Sequence, residues 1–287
     1  TAVEEASKYL TDNSVPCFEF PEKAVKALSA LIQYAEILER PESVHKVLVD
    51  VDKNAVQKYI KSSRQDGRFV LLSHEAARVM EAYGITVPPV KLATSMEDAV
   101  KAAEEIGYPV VLKVVSPEIL HKSDIGGIVL NIMSPEAVKE AYNGILTRVS
   151  RYMPRAQIYG VLVTKMVPQG KEMIIGVSRD IQFGPLIMFG LGGIYVDFLK
   201  DVSFRLAPLS MEDVQEMISE TKAYTLLKGV RGEKPSDINA LVDILLRVSQ
   251  LVTDYPEIVE MDINPLFVYE VGKGCIAIDV KITLSKG

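Results

Sequence analysis

Apolar and polar positions change period several times along the chain, and each change marks an element. Near the start, EEASKYL has helical spacing, SVPCFEF reads as a short strand and PEKAVKALSALIQYAEILER as a strong helix. In that helix Val25, Leu28, Leu31, Ile32, Ala35 and Leu38 recur on one face, and Pro21 suits its first turn. One strand and two helices within residues 1–46 cannot bury much core. This piece is expected to be a fragment or appendage of another domain. Residues 47–68 mix charge with Ser-Ser and Asp-Gly, a linker composition with room for one short helix.

From Leu71 onward the pattern is regular. Ser73 precedes the helix HEAARVMEAYG, closed by Gly84, and ITVPPVKLA follows as a strand. Thr94 with Glu97 forms a capping-box pattern for a helix through Ile106, closed by Gly107. PVVLKVV reads as a buried strand, SPEILHKSDIGG has neither period, and IVLNI is again a strand. Ser134-Pro135 opens a helix to about Tyr152, after which YGVLVTKMV, EMIIGVS and PLIMF are three more strands. Ser210 and Ser236 are placed to cap two later helices. EIVEMDINPLFVYE and KGCIAIDVKITL close the chain as a hairpin. There is no internal repeat. The mixture predicts an α/β or α+β fold.

Composition narrows the classes of function. The chain has 287 residues, 48% of them hydrophobic and 24% charged, which excludes disorder as its main state. With 32 basic and 38 acidic residues the net charge is −6, which argues against nucleic-acid binding but leaves room for a nucleotide site. No run approaches the roughly 18 apolar residues needed to span a bilayer, and no basic-then-apolar leader opens the chain. Cys17 and Cys275 lie outside any C-x-x-C pattern, so a zinc site or disulfide framework is not expected, and a reducing cytosol is. The chain opens on Thr1, already close to a helix, so it is expected to be part of a longer protein.

Four segments carry candidate chemistry. Lys113 interrupts an apolar strand; it must meet an anion, snorkel, or face solvent from an edge. His121, Lys122, Ser123 and Asp124 run into Gly126-Gly127, where amides and an ammonium suit a phosphate and an imidazole a phosphoryl group; an ordinary turn is the alternative. His45 and His74 read as surface residues. Gly190, Gly192 and Gly193 follow a strand, a weak signal. No G-x-x-x-x-G-K-[ST] element occurs, which excludes a P-loop enzyme, and GxGxxG is also missing. In the tail, Asp262 and Asn264 share one strand face, with Asp279 on the strand expected to pair with it. Such oxygen donors suit Mg²⁺; an Asp–Lys281 pair is the alternative.

Taken in order, YPVVLKVVSPEILHKSDIGGIVLNI, VLVTKMVPQGKEMIIGVSRD, FGPLIMFGLGGIYVDFLKDVSFRLAPL and EMDINPLFV…AIDVKI resemble the motifs of the ADP/NDP-forming acyl-CoA synthetases. The resemblance spans residues 69–287 and is to their ATP-grasp domain, a fold of two subdomains shared with the nucleotide-binding subunit of succinyl-CoA synthetase. It implies that residues 1–46 are the α/β remnant of a CoA-ligase domain, residues 47–68 a linker, and that this chain is the C-terminal part of a fused synthetase. Members convert acid, CoA and ATP reversibly into acyl-CoA, ADP and phosphate through acyl phosphate and phosphohistidine.

By that resemblance His121 is the phosphoryl carrier and Lys113 contacts the nucleotide phosphates, near Gly126 and Gly127. Thr164, Lys165, Met166 and Val167 form the hinge strand beside adenine, and Glu172 lies near the ribose. Asn264 and Asp279, with Asp262 beside them, are the Mg²⁺ ligands. Arg179, Lys200, Asp201 and Arg205 lie in matching motifs without assigned roles. The implied ligands are ATP/ADP, phosphate and Mg²⁺. The implied partners are the CoA-binding and ligase domains, in the same polypeptide or another subunit, within a cytoplasmic homo-oligomer; neither nucleic acid nor membrane is expected. Two other uses of the domain are the synthetase-like regulatory half of a protein acetyltransferase and a nucleotide sensor. His121 beside the Lys113, Asn264 and Asp279 set speaks against the sensor, which needs no phosphoryl acceptor. The acid substrate and the choice between ADP and GDP are not fixed by these residues.

Overall fold

In the computed structural model, which describes residues 2–39, 50–119, 122–193, 201–230 and 232–286, residues 1–44 and 45–287 form two separate compact units. The first holds α1 (Ala2–Asp12) and α2 (Pro21–Glu39). No strand forms between them, contrary to the reading of SVPCFEF. A strand needs a partner for its backbone groups; here the Val15 amide instead turns back onto the Leu10 carbonyl. Val25, Leu28, Leu31 and Ile32 of α2 are exposed.

The second unit begins its described structure with α3 (Lys53–Gln65), in the segment read as linker. Asp52 caps it by accepting the Ala55 amide, and Val56 and Ile60 are buried in the main core. Two apolar residues four apart were enough to dock a charged helix whose composition resembles linker. α4 (Ser73–Ala82) follows.

Two antiparallel sheets organise the remainder. The first comprises β1 (Val90–Ala93), β2 (Val110–Val115), β3 (Ile128–Ile132) and β4 (Gly160–Lys165), in the order β1-β4-β2-β3. It shares a core with α5 (Met96–Ile106) and α6 (Pro135–Tyr152), in which Leu112, Val163 and Ile145 are buried. Both helices have side-chain caps. Ser95 rather than Thr94 caps α5, because Ser95 Oγ faces the Asp98 amide, and Ser134 caps α6 as expected.

The second sheet contains β5 (Lys171–Asp180), β6 (Gly184–Leu191), β7 (Val202–Leu206), β8 (Ile258–Val268), β9 (Cys275–Ala277) and β10 (Val280–Leu284). Its order is β10-β8-β5-β6-β7, with β9 also paired to β8. One face packs with α3, α4, α7 (Met211–Ser219) and α9 (Ile238–Asp254) around Met173, Phe189, Met217 and Leu245; α8 (Ala223–Leu227) is a single short turn of helix. Ser210 caps α7, but Asp237 takes the place predicted for Ser236, accepting the amides of Ala240, Gly272 and Gly274. The opposite face of β8 is not covered in this way: Met261 and Ile263 enter the core, while Asp262 and Asn264 alternate outward. No helix among the described residues is long and apolar enough to cross a membrane.

Candidate functional site

β2 is buried at all six positions, Lys113 included, so the edge-strand alternative does not hold. Its side chain is 8% exposed, and its ammonium meets an anion from the other sheet: it lies 3.5 Å from Asp279 Oδ1 and 3.4 Å from the Ile278 carbonyl. Thr164 faces the same narrow cavity as Lys113, together with Ser73 and Asp279. An adjoining cleft is lined by Ser73, Lys122, Asp262, Asp279 and Lys281. Lys122 spans it, with Nζ 3.3 Å from Ser73 Oγ and 3.9 Å from Asp279 Oδ1.

Asp279 does not sit on a strand. It occupies the break between β9 and β10, opposite Asn264-Pro265, where Pro265 has no N–H to continue the ladder. The Asn264 amide donates to the Asp279 carbonyl at 3.1 Å, which brings the two residues together. Asp262, two residues earlier on the same face, is the second carboxylate of the cleft. Burial first, and Asp279 second, push its carboxyl up to about 6. Lys281 is its cross-strand partner by register, but the ammonium pairs with Glu260 at 3.8 Å.

This donor set fits a hard cation: two carboxylates and an amide oxygen, one carboxylate disfavoured as an anion until a positive charge arrives. Among the described residues no three His, Cys, Asp or Glu side chains cluster closely enough to hold a metal. A bound ion would therefore need Asn264 and oxygens from a ligand as well.

Near Asn264 the chain of contacts continues. The Gly193 amide lies 3.5 Å from Asn264 Oδ1, and the Gly192 amide donates to the Glu172 carbonyl. A Cβ on Gly193, which has φ +75°, would stand 2.5 Å from Glu172 Oε2. The weak glycine signal thus marks a left-handed backbone at Gly193 and a close backbone approach at Gly192, where a Cβ would stand 2.7 Å from the Met173 carbonyl. Gln169 donates to the Glu172 carboxylate at 3.4 Å.

The residues read as a hinge are partly committed elsewhere. Lys165 Nζ donates to the carbonyls of Gly107 and Tyr108, both at 2.8 Å, closing the C-terminus of α5. The Lys165 and Met166 amides donate to the Pro89 and Pro109 carbonyls, and Val167 is half-buried beyond them. Gly126 and Gly127 likewise use their amides within the turn, on the carbonyls of Ser123 and Lys122. A side chain at residue 127 would meet Val114 and the Lys122 carbonyl within 3 Å. Arg148 fastens the turn by donating to the Gly126 carbonyl at 2.8 Å.

His121, Lys200 and His45 lie outside the described residues. His74 is half-buried rather than a surface residue; burial holds its imidazole below its ordinary value. Arg179 donates to backbone carbonyls of Val252 and Ile258, Asp201 accepts the amides that open α8, and Arg205 pairs with Glu216 and Glu220. All three are engaged in holding elements together. Sequence reading passed over Ser73, seen only as a helix start, and gave Lys122 no partner. Both gain their place through contacts between distant segments.

The family model of the ATP-grasp domain matches residues 62–284. The acetate–CoA ligase [ADP-forming] II subunit beta of Pyrococcus furiosus is 49% identical, over 81% of this chain and 99% of that subunit. The acetate–CoA ligase [ADP-forming] I of Archaeoglobus fulgidus is 46% identical over 99% of this chain, which spans only 41% of that relative's length. Among solved structures, the dinucleotide-forming acetyl-coenzyme A synthetase 1 of Ca. Korarchaeum cryptofilum, in complex with coenzyme A and Mg-AMPPCP and with its phosphohistidine segment pointing towards the nucleotide binding site, superposes with a TM-score of 0.71. It is 43% identical, over 80% of this chain and all of that one. The chain belongs to the ATP-grasp family, in the group of ADP-forming acyl–CoA ligases. ATP binding follows from the ATP-grasp domain.

Proposed function

We propose that this chain is the nucleotide and phosphoryl-transfer part of an ADP-forming acyl–CoA ligase, working with CoA-binding and ligase domains in the same polypeptide or a partner subunit. The observation that carries this reading is the convergence of Lys113 and Lys122, both from the first sheet and its loop, on Asp279 of the second sheet, at 3.5 and 3.9 Å. Two ammonium groups around one carboxylate can hold the oxygens of a polyphosphate, and Asp279 keeps them from repelling each other beforehand.

Lys113 faces the phosphate chain, and Thr164 lies on the strand that leads to the base. The backbone around Met166 and Val167 borders the base, and Glu172 the ribose. Asp262, Asn264 and Asp279 would hold Mg²⁺, which would neutralise phosphate charge as it develops. A neutral nitrogen of His121 attacks the γ-phosphorus of ATP, and the bond to the bridging oxygen breaks to release ADP. The phosphoryl group then passes to the acid's carboxylate, giving an acyl phosphate, from which the CoA thiolate displaces inorganic phosphate. In this reading residues 1–46 are the end of the ligase region, residues 69–287 the grasp domain, and the full-length enzyme is a cytoplasmic homo-oligomer.

Incubation with γ-labelled ATP, alone and with the remaining domains added, tests the proposal. Wild type and His74→Ala should acquire an acid-labile, base-stable label, and His121→Ala none. Full labelling of His121→Ala would remove the carrier role.

A further inference from the structure

We propose that Asp279 has a second role besides metal binding: in the empty cleft its carboxylate occupies the Lys113 ammonium as a stand-in for phosphate, which makes the site selective for nucleotide that arrives with a divalent cation. The inference rests on the reading of this cleft as the nucleotide site. It deepens that reading by assigning what rejects metal-free nucleotide.

The contact joins the two sheets. Lys113 stands on β2 between β3 and β4, in register with Ile128 and Leu162, and its side chain is almost fully buried. A buried ammonium without an anion is costly, so Lys113 needs a partner whether or not nucleotide is bound. In the empty cleft its partners come from the break between β9 and β10, the Asp279 carboxylate at 3.5 Å and the Ile278 carbonyl at 3.4 Å. The Asp279 side chain is 39% exposed, so it reaches solvent in the cleft while it faces the buried cation.

Both backbones are fixed. β2 is hydrogen-bonded along its two edges. Residues 278 and 279 are held to the second sheet by the Ile278 amide on the Pro265 carbonyl, at 3.0 Å, and the Asn264 amide on the Asp279 carbonyl, at 3.1 Å. An exchange of partners therefore needs only side-chain rotation.

Charge decides which ligand drives that exchange. Lys113 and Lys122 face Asp279, and Asp262 brings a second carboxylate to the cleft. Metal-free phosphates would have to displace Asp279 from Lys113 and then lie beside both carboxylates. A divalent cation that enters with the nucleotide gives the displaced carboxylate a new partner, and both lysines are released to phosphate. The competing account makes Asp279 a metal ligand alone. It predicts that the residue has no influence once metal is withdrawn.

Calorimetry with ADP at pH 8, with a chelator or with Mg²⁺, separates the two. Asp279→Asn and Asp279→Ala should bind metal-free ADP about tenfold or more tightly than wild type, and added Mg²⁺ should improve their binding less than it improves wild type. Asp262→Asn loses a carboxylate that, among the described residues, pairs with neither lysine; its gain should be smaller by about threefold or more. Metal-free affinity unchanged in both Asp279 variants would overturn the proposal. So would a gain in Asp262→Asn as large as theirs, because repulsion alone would then suffice. Acylation of Lys113 by an amine-reactive ester, mapped by mass spectrometry without nucleotide, should be severalfold faster in Asp279→Asn than in wild type. Equal rates would show that Asp279 does not occupy the ammonium. Absence of ADP binding in every protein, with or without Mg²⁺, would remove the proposed function, while the acylation rates would still decide whether Asp279 holds Lys113.

Discussion

A single half-buried imidazole gives this protein a pH-dependent stability that its function does not require. His74 sits in the first turn of α4 with Nδ1 buried and without a hydrogen-bond partner among the described residues. Burial is the largest influence and lowers its pKa below 6.5; Glu75 opposes this, while Arg68 and Arg78 add to it. Below pH 6.5 the unfolded chain therefore takes up a proton that the native state refuses. Stability is full above 6.5 and declines as pH falls through the lower native value. Denaturant unfolding at pH 8 and pH 5 should show a larger loss for wild type than for His74→Gln; equal losses would mean that His74 is not the group responsible. This residue was read from the sequence as exposed because one histidine beside a helix start carries no period. Lys113 was legible for the opposite reason, since an ammonium inside an apolar strand demands an anion wherever that anion comes from. Lys122 and Ser73 were not, because their meeting depends on how two remote segments are folded together.

Among the elements, α4 has the most specific anchor. Arg68 and Glu75 form a two-pronged pair at 2.8 and 2.9 Å, 7% and 8% exposed, and Glu75 also accepts the Leu72 amide that opens the helix. Asp66 joins Arg68 from the solvent side, and the Tyr159 ring lies 5.5 Å from the guanidinium. Removing one member of a buried pair strands the other charge, so Glu75→Ala should lower unfolding free energy by about 3–5 kcal/mol. Replacing both residues, as Arg68→Met with Glu75→Leu, should recover most of that loss. Calorimetric or denaturant unfolding of the three proteins decides it, and a double replacement as unstable as Glu75→Ala would show that the pair does more than satisfy itself. The sequence pattern revealed α6, whose one buried face imposes a helical period, and β2 and β4, which read as continuous apolar runs because they are buried on both faces. It misjudged elements whose place comes from tertiary context. α3 is too charged to look buried, β7 is short with Phe204 and Leu206 exposed, and SVPCFEF has apolar residues but no neighbouring strand. Caps slipped by one residue where two polar side chains adjoin, as at Thr94-Ser95 and Ser236-Asp237.

At the scale of the whole molecule, the two sheets of residues 45–287 each bring half of a charge pattern that neither completes alone. The first contributes Lys113 and the Lys122 loop; the second contributes Asp262, Asn264 and Asp279. Every residue assigned to nucleotide or metal in the proposed function lies in this one unit, so nucleotide binding should survive without any other domain. CoA handling should not, since the chain spans 41% of the Archaeoglobus relative and carries no second glycine-rich nucleotide fingerprint. Calorimetry on this chain should therefore find binding of ADP and ATP in the presence of Mg²⁺, and none of CoA; acyl-CoA synthesis should appear only when the remaining domains are supplied. Removing Mg²⁺ should weaken nucleotide binding at least tenfold at pH 8, because Asp262, with its carboxyl near 6, is then ionised beside Asp279 and repels the phosphates. At pH 5, where Asp262 holds its proton, the penalty for omitting Mg²⁺ should be smaller. Binding indifferent to Mg²⁺ at both pH values would remove the metal from this site, and tight CoA binding would show that the chain holds a site for CoA as well.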